Sequence, residues 1–151
     1  LGEKDGKKPT DEDIKRALDI SQSSFVYNLD GEIDAEIDQG GKNVSGGQKQ
    51  RLSIARALAR NPEILIFDDS FSALDYKTDK ELRHALKEKS AGTTCLIVAQ
   101  RIGTIMDADK ILVLDSGRVV GEGTHKELME NCEVYKEIAL SQLSKEELEN
   151  A

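Results

Sequence analysis

The apolar positions of this chain fall into short clusters, and the spacing within each cluster changes along the sequence. Ile64 to Phe67 is a run of four apolar residues between Pro62 and Asp68. It is too short for a helix and predicts a buried strand. Similar runs predict another buried strand and two further strands, over residues 93–99, 110–114 and 118–120.

Helices are predicted where apolar residues recur at helical spacing behind a residue that can cap the first turn. Thr10 precedes three acidic residues, which favour the positive end of a helix dipole, and Ile14 and Leu18 supply an apolar stripe. Asp75 is the expected N-cap of a helix over residues 75–89. Four more helices are predicted over residues 21–29, 48–60, 101–107 and 133–142, and a capping box at Thr124 and Glu127 opens another.

Strands that alternate with helices predict an α/β fold, in which helices cover both faces of a sheet. Functional residues of such folds lie at the carboxyl ends of the strands. The leading helices predict a separate small helical subdomain. The expected division is therefore a lead-in, a helical subdomain, an α/β core and a charged tail that frays, over residues 1–9, 10–60, 61–143 and 144–151.

Composition narrows the class of protein. Hydrophobic residues make up 38% of the 151 residues and charged residues 33%, which is typical of a soluble globular domain. The 29 acidic and 21 basic residues give a net charge of -8, which argues against binding to a nucleic-acid backbone. No apolar run approaches the roughly 20 residues of a membrane helix. Cys95 and Cys132 lack metal-site spacing and are expected to be reduced thiols.

The most informative segment is the glycine-rich stretch that begins at Asn43. Ser45 and Gln48 have the spacing of a capping box at a helix start. The glycines between them, Gly46 and Gly47, leave backbone N–H groups accessible to a bulky anion at the positive end of the helix. Alone, such a stretch is more often an ordinary capped helix, but its continuation through residues 51–58 is far more specific.

With that continuation, the stretch resembles the signature motif of ATP-binding-cassette (ABC) transporter ATPases, with Val44 where Leu is commoner. Later segments agree with this family in order and spacing across residues 9–143. They resemble its Walker B strand, D-loop, switch loop and exporter-type closing region, at residues 64–68, 72–75, 98–101 and 119–128. The resemblance implies a P-loop NTPase-like fold, with a mostly parallel sheet, flanking helices and a small α-helical subdomain.

The resemblance also implies ATP and Mg²⁺ as ligands and assigns roles to individual residues. Asp68 would hold Mg²⁺ through water, although a residue at a strand end can also simply cap a turn. Asp69 stands where the family has a catalytic Glu, and Gln100 where it has the switch His; neither substitute reproduces the original chemistry. Asp75 belongs to the D-loop. The signature residues would bind ATP held by a second nucleotide-binding domain: Ser45, Gly46, Gly47 and Gln48.

No phosphate-loop pattern G-x-x-x-x-G-K-[ST] occurs in the 151 residues. We therefore expect the phosphate loop to lie upstream and the chain to be the C-terminal part of a nucleotide-binding domain, inactive by itself. The family places the phosphate-loop strand between the strands predicted near 94–98 and 111–114. Its absence predicts an incomplete sheet that either re-pairs or drives self-association.

These departures predict the degenerate half of a heterodimeric exporter at the cytoplasmic face of the plasma membrane. Its partners would be a second nucleotide-binding domain and the transmembrane domain of the same transporter. One alternative is a soluble non-transport ABC-superfamily ATPase, although such proteins usually contain long coiled coils and no sustained heptad occurs here. Another is a non-catalytic regulatory module that lends its signature helix to a partner. His84 and His125 are expected to be solvated or structural.

Overall fold

The structure is a computed structural model that describes residues 8–90 and 92–149, with side chains described through residue 142. The chain divides into two compact units, one ending at Val98 and the other beginning at Ala99.

The first unit combines helices with one pair of parallel strands. Its elements are α1 (Asp11–Ile20), two 3₁₀ helices (Ser24–Asn28 and Glu32–Asp34), α2 (Gly46–Leu58), β1 (Ile64–Asp68), α3 (Tyr76–Lys89) and β2 (Thr94–Val98). Strands β1 and β2 pair in parallel, with Ile64 opposite Thr94 and Asp68 opposite Val98. The parallel pairing brings the carboxyl ends of both strands to one edge.

Apolar residues of three helices and one strand form the core of this unit. Ile20 and Leu82 are completely buried, and α1 packs against both α2 and α3. The core continues through buried residues of α2 and β1: Ile54, Ala55, Leu58, Leu65 and Phe67. Because burial of each large aliphatic side chain contributes about 1.5–3 kcal/mol, this core fixes α2 against the rest of the unit.

The prediction of buried strands covered on both faces was wrong for β1 and β2. Leu65 is 4% exposed, whereas Ile66 is 67% exposed. On β2, Leu96 and Val98 are also more than half exposed. The core covers only one face of this two-stranded sheet, so every second apolar side chain lies on the open face.

The predicted helix over residues 21–29 was also wrong in type and start. Gln22 has a left-handed φ of 56°, which ends α1, and a 3₁₀ helix begins only at Ser24. The side chains of Ser21 and Ser23 are buried and 2.8 Å apart, oxygen to oxygen. Such local hydrogen bonds of serine compete with a helical backbone.

The second unit is built around an antiparallel hairpin. Its elements are α4 (Ile102–Ile105), β3 (Ile111–Asp115), β4 (Arg118–Gly123), α5 (His125–Asn131) and α6 (Glu133–Glu149). Ser116 and Gly117 connect the strands with φ values of 49° and 76°, the positive values that a type I′ turn requires. Tyr135 and Ala139 of α6 are buried against the hairpin and α5 in a core of their own.

Several boundaries in this unit differ from the predicted ones. Strand β4 continues to Gly123 instead of ending at 120, because its pairing with β3 reaches Ile111. The α6 backbone is helical to Glu149, whereas the sequence predicted fraying after 144. Cys132 is buried and Cys95 exposed, and both are free cysteines in the structure.

Among the described residues, β2 pairs only with β1 and β3 only with β4. The two strands that the sequence predicted to flank a missing strand therefore remain in different sheets, and no re-pairing closes the sheet. Self-association stays a prediction.

In the described parts of the chain, no helix is long and apolar enough to span a membrane.

Candidate functional site

The glycine-rich stretch forms the start of α2, with the geometry that the sequence predicted. Ser45 is the N-cap, and its hydroxyl oxygen accepts a hydrogen bond from the Gln48 backbone N–H at 3.2 Å. The Gln48 side-chain oxygen accepts in return from the Ser45 N–H at 2.8 Å. The capping box is thus confirmed. Around Gly46, no atom beyond its chain neighbours and the backbone of its own helix lies within 4 Å of the position that a Cβ would take, so this helix end is open.

Gly47 faces the chain instead of open space. A Cβ at this position would lie 3.1 Å from the Ala73 carbonyl oxygen and 3.8 Å from the Leu74 side chain. The start of α2 and the segment after β1 are therefore packed backbone to backbone at Gly47. The structure brings together the predicted signature and D-loop residues, although Gly47 and Ala73 are 26 residues apart in the sequence.

Gln50, which the sequence analysis assigned no role, joins the same two segments through its side chain. Its amide oxygen accepts from the Ala73 N–H at 3.0 Å. Its amide nitrogen donates to the Ser72 hydroxyl at 3.2 Å and to the Asp69 carbonyl at 3.4 Å. No local pattern marks this glutamine, because its partners lie 19–23 residues away.

Asp68 and Asp69 follow one another at the carboxyl end of β1. Asp68 is exposed and is the last residue of the strand. Asp69 has a left-handed φ of 49°, and its N–H donates to the Val98 carbonyl at 3.2 Å. Aspartate tolerates this backbone region better than most residues. The backbone at position 69 therefore suits the short carboxylate that the sequence carries.

Asp75 caps α3, as the sequence predicted. One carboxylate oxygen accepts from the Thr78 N–H at 3.0 Å, and the other from the Thr78 hydroxyl at 2.7 Å. These hydrogen bonds, the backbone one first, hold the pKa of Asp75 below its usual value of 3.8. The contact with nucleotide implied by the D-loop resemblance remains a prediction.

The lowered pKa of Asp75 predicts how the stability of the chain changes with pH. Because the pKa is lower folded than unfolded, the stabilisation is present above about pH 3.8 and is lost as pH falls through the folded-state pKa. Asn also caps helices but does not titrate. We expect the difference in thermal midpoint between the wild type and Asp75→Asn to be largest near pH 7 and to shrink below about pH 3.8. Circular dichroism melts of both proteins measure this difference, and a gap independent of pH would contradict it.

Gln100 lies in the second unit, whereas Asp68, Asp69 and Asp75 lie in the first. The Gln100 side chain is exposed, and its backbone carbonyl accepts from the Gln142 amide at 2.7 Å. The Gln142 side-chain oxygen also accepts from the Ile102 N–H at 2.7 Å. Gln142 of α6 thus holds the segment that carries Gln100, a contact across 42 residues that no sequence pattern indicates.

The two histidines lie where the sequence placed them. His84 is exposed on α3, with a ring nitrogen 3.3 Å from the Glu88 carboxylate. His125 is the first residue of α5, and its Nδ1 lies 2.8 Å from the Tyr135 hydroxyl. Both positions agree with the expectation that the two histidines are solvated or structural; that neither has a catalytic role stays a prediction.

A dedicated metal site is not found in the part of the chain that the structure describes, where no three His, Cys, Asp or Glu side chains converge. Mg²⁺ that binds together with nucleotide phosphates needs only one or two carboxylates from the protein. The exposed carboxylate of Asp68 at the sheet edge provides such a donor. Binding of Mg²⁺ by Asp68 stays a prediction.

Comparison with known proteins shows which family and which proteins this chain is similar to. Residues 8–72 match the family model described as ABC transporter. An uncharacterised ABC transporter ATP-binding protein of Mycobacterium tuberculosis is 43% identical over 133 residues, 88% of this chain and 23% of that protein. A multidrug resistance ABC transporter ATP-binding and permease protein of Lactococcus lactis subsp. cremoris is 40% identical over 136 residues, 89% of this chain and 23% of that protein.

One solved structure contains a region with the same fold as this chain. A bacterial Atm1-family ABC exporter with ATP bound matches this chain with a TM-score of 0.84 at 35% identity, over 92% of this chain and 24% of the exporter chain. The chain spans about a quarter of the length of the relatives it matches.

Proposed function

We propose that this chain is part of the ATPase that drives a membrane exporter, because its sequence and its fold match those of an exporter-type ABC transporter nucleotide-binding domain. The observation that carries this proposal is the open, glycine-flanked start of α2, held against the segment after β1. A helix start of this kind offers backbone N–H groups and a positive dipole end to a phosphate.

We further propose that this helix start serves an ATP site held mainly by a second nucleotide-binding domain. The signature residues Ser45, Gly46, Gly47 and Gln48 would bind the phosphates, with the open side of the helix start at Ser45 and Gly46. The support is that Ser45 and Gly46 are exposed, and that no side chain fills the space beyond Gly46. The partner would carry the phosphate loop for that site, and the transmembrane domain of the transporter would couple the two domains to export.

The chain's own carboxylates belong to the opposite ATP site in this proposal. Mg²⁺, when bound with ATP, would neutralise part of the negative charge of the phosphates. Asp68 would hold it through water, and Asp69 would orient the attacking water from a carboxylate drawn back by about 1.5 Å relative to Glu. Gln100 would donate a hydrogen bond without the positive charge that a histidine can carry. Slow hydrolysis at this degenerate site follows from both substitutions.

The proposal makes a direct prediction for the 151-residue chain. Since its sequence contains no phosphate loop, the purified chain is expected to show no Mg-ATP turnover above buffer, whereas the full-length transporter with its partner hydrolyses ATP. A coupled phosphate-release assay on both preparations measures this. The matched control is the full-length transporter with Ser45→Ala, which separates signature-dependent turnover from a contaminating ATPase.

Two outcomes would contradict the proposal. Turnover by the purified chain that follows its concentration would show that these residues suffice for hydrolysis. Full-length protein without any ATP turnover would favour the non-catalytic reading, in which the chain only lends α2 to a partner.

A further inference from the structure

The side chain of Gln50 joins α2 to both Asp69 and Ala73. It lies one turn beyond the open helix start, half-buried, and uses its amide oxygen and nitrogen together. The oxygen fixes the Ala73 N–H, and the nitrogen reaches the carbonyl of Asp69. The planar amide group of Gln50 therefore holds α2 at a fixed distance from the backbone of Asp69 and Ala73.

The carbonyl of Asp69 receives further hydrogen bonds from Ser72. The Ser72 hydroxyl donates to it at 3.0 Å and the Ser72 N–H at 3.4 Å. Ser72 in turn accepts from the Gln50 amide, so the three groups form a closed network. Because Asp69 is in the left-handed region, surrounding contacts must hold its backbone there.

We propose that Gln50 is a positioning residue that couples the two ATP sites of the transporter. This inference rests on the proposed function, in which α2 serves the partner's site and Asp69 the opposite one. The hydrogen bonds of Gln50 go to the Asp69 carbonyl, the Ser72 hydroxyl and the Ala73 N–H, and none of these is the Asp69 carboxylate. It acts by keeping the start of α2 and the segment from Asp69 to Ala73 in one arrangement, so that both sites close together.

The close contact at Gly47 cannot by itself hold the two segments in one arrangement, so the hydrogen bonds of Gln50 are needed as well. Backbone contact at Gly47 sets how closely the two segments approach, but it has no directional bond that resists sliding. The two-ended amide of Gln50 supplies that direction, since its oxygen and nitrogen bind groups four residues apart, at Ala73 and Asp69. Loss of the amide would leave the segments packed yet free to shift in register.

Two variants of Gln50 test the proposal. Gln50→Leu keeps the approximate volume and removes all three hydrogen bonds. Gln50→Glu keeps an oxygen that can accept from the Ala73 N–H and removes the donor to Asp69 and Ser72. Ser53→Ala, an exposed position one turn further along α2, is the control. The readouts are kcat and KM for ATP in the full-length transporter with its partner, and amide hydrogen exchange at Ala73 in the same variants.

Removing two or three ordinary hydrogen bonds is expected to change populations by about tenfold. In Gln50→Leu we expect kcat to fall about tenfold with KM nearly unchanged, and the Ala73 amide to exchange about tenfold faster. Gln50→Glu should restore protection at Ala73 while kcat stays low, and Ser53→Ala should match the wild type in both readouts.

The two readouts keep failure of this inference apart from failure of the proposed function. If the wild-type transporter does not hydrolyse ATP, the proposed function fails, and unaltered Ala73 exchange in Gln50→Leu would separately overturn the positioning role. In Gln50→Leu, faster exchange with unchanged kcat would overturn the coupling, as would a fall in kcat without faster exchange. Should Gln50→Leu not fold, Gln50→Glu decides by itself: wild-type kcat in Gln50→Glu would overturn the coupling.

Discussion

Replacement of Asp69 by Glu together with Gln100 by His is expected to raise ATP turnover at this chain's own site by at least about tenfold, because a positioned general base contributes about 10²–10⁴ in rate. The longer side chain would bring the carboxylate about 1.5 Å closer to the attacking water. Histidine at position 100 would add a side chain that can become cationic near neutral pH. Steady-state turnover of the full-length transporter measures the effect, once the partner's site has been inactivated.

The backbone at Asp69 sets a limit on this gain. Glu is less tolerant than Asp of the left-handed φ of 49°, so Asp69→Glu is also expected to lower stability slightly. Asp69→Asn is the matched control, because it keeps a residue suited to this backbone and removes the carboxylate. Turnover in the double variant that does not exceed the wild type would argue that this site is not a weakened ATPase site.

Gly47→Val is expected to reduce turnover at the partner's site by about 100-fold or more and to destabilise the chain by about 1–3 kcal/mol, the range for overpacking. The Cβ alone would approach the Ala73 carbonyl oxygen to 3.1 Å, and the two methyl groups of Val would widen the conflict. Separation of α2 from the segment after β1 would then misplace the helix start that faces the phosphates. Urea unfolding and ATP turnover measure the two effects.

Gly46→Val separates packing from access to the phosphates, since it adds the same side chain one residue earlier. Nothing lies within 4 Å of a Cβ at Gly46, so its stability is expected to stay close to that of the wild type. Its turnover should fall as that of Gly47→Val does, because the side chain would cover the helix start. Wild-type turnover in both variants would rule out ATP binding at this helix end.

The features that the sequence predicted correctly are those decided within a few residues. Thr10, Ser45 and Thr124 cap their helices through a partner three residues later, and Asp75 does so through Thr78. Each of these bonds depends only on local backbone geometry, so residue type and spacing are enough to predict it.

The features that were missed depend on residues far apart in the chain. The burial of Ile66 depends on whether anything covers that face of the sheet, and an apolar run looks the same in either case. The contacts of Gln50 and Gln142 join segments 19–42 residues apart, and a single glutamine gives no signal for them. The roles of the candidate site residues stay predictions for the same reason, since a partner chain would complete them.

The open face of the β1–β2 sheet carries exposed aliphatic side chains next to a carboxylate. Ile64, Ile66, Leu96 and Val98 lie on it, and the parallel register puts Asp68 on that same face at its outer end. Four aliphatic side chains favour leaving water, while the carboxylate of Asp68 and a net charge of -8 favour staying in it. A surface that covers this face would remove water from beside Asp68, and a less screened carboxylate attracts a cation more strongly.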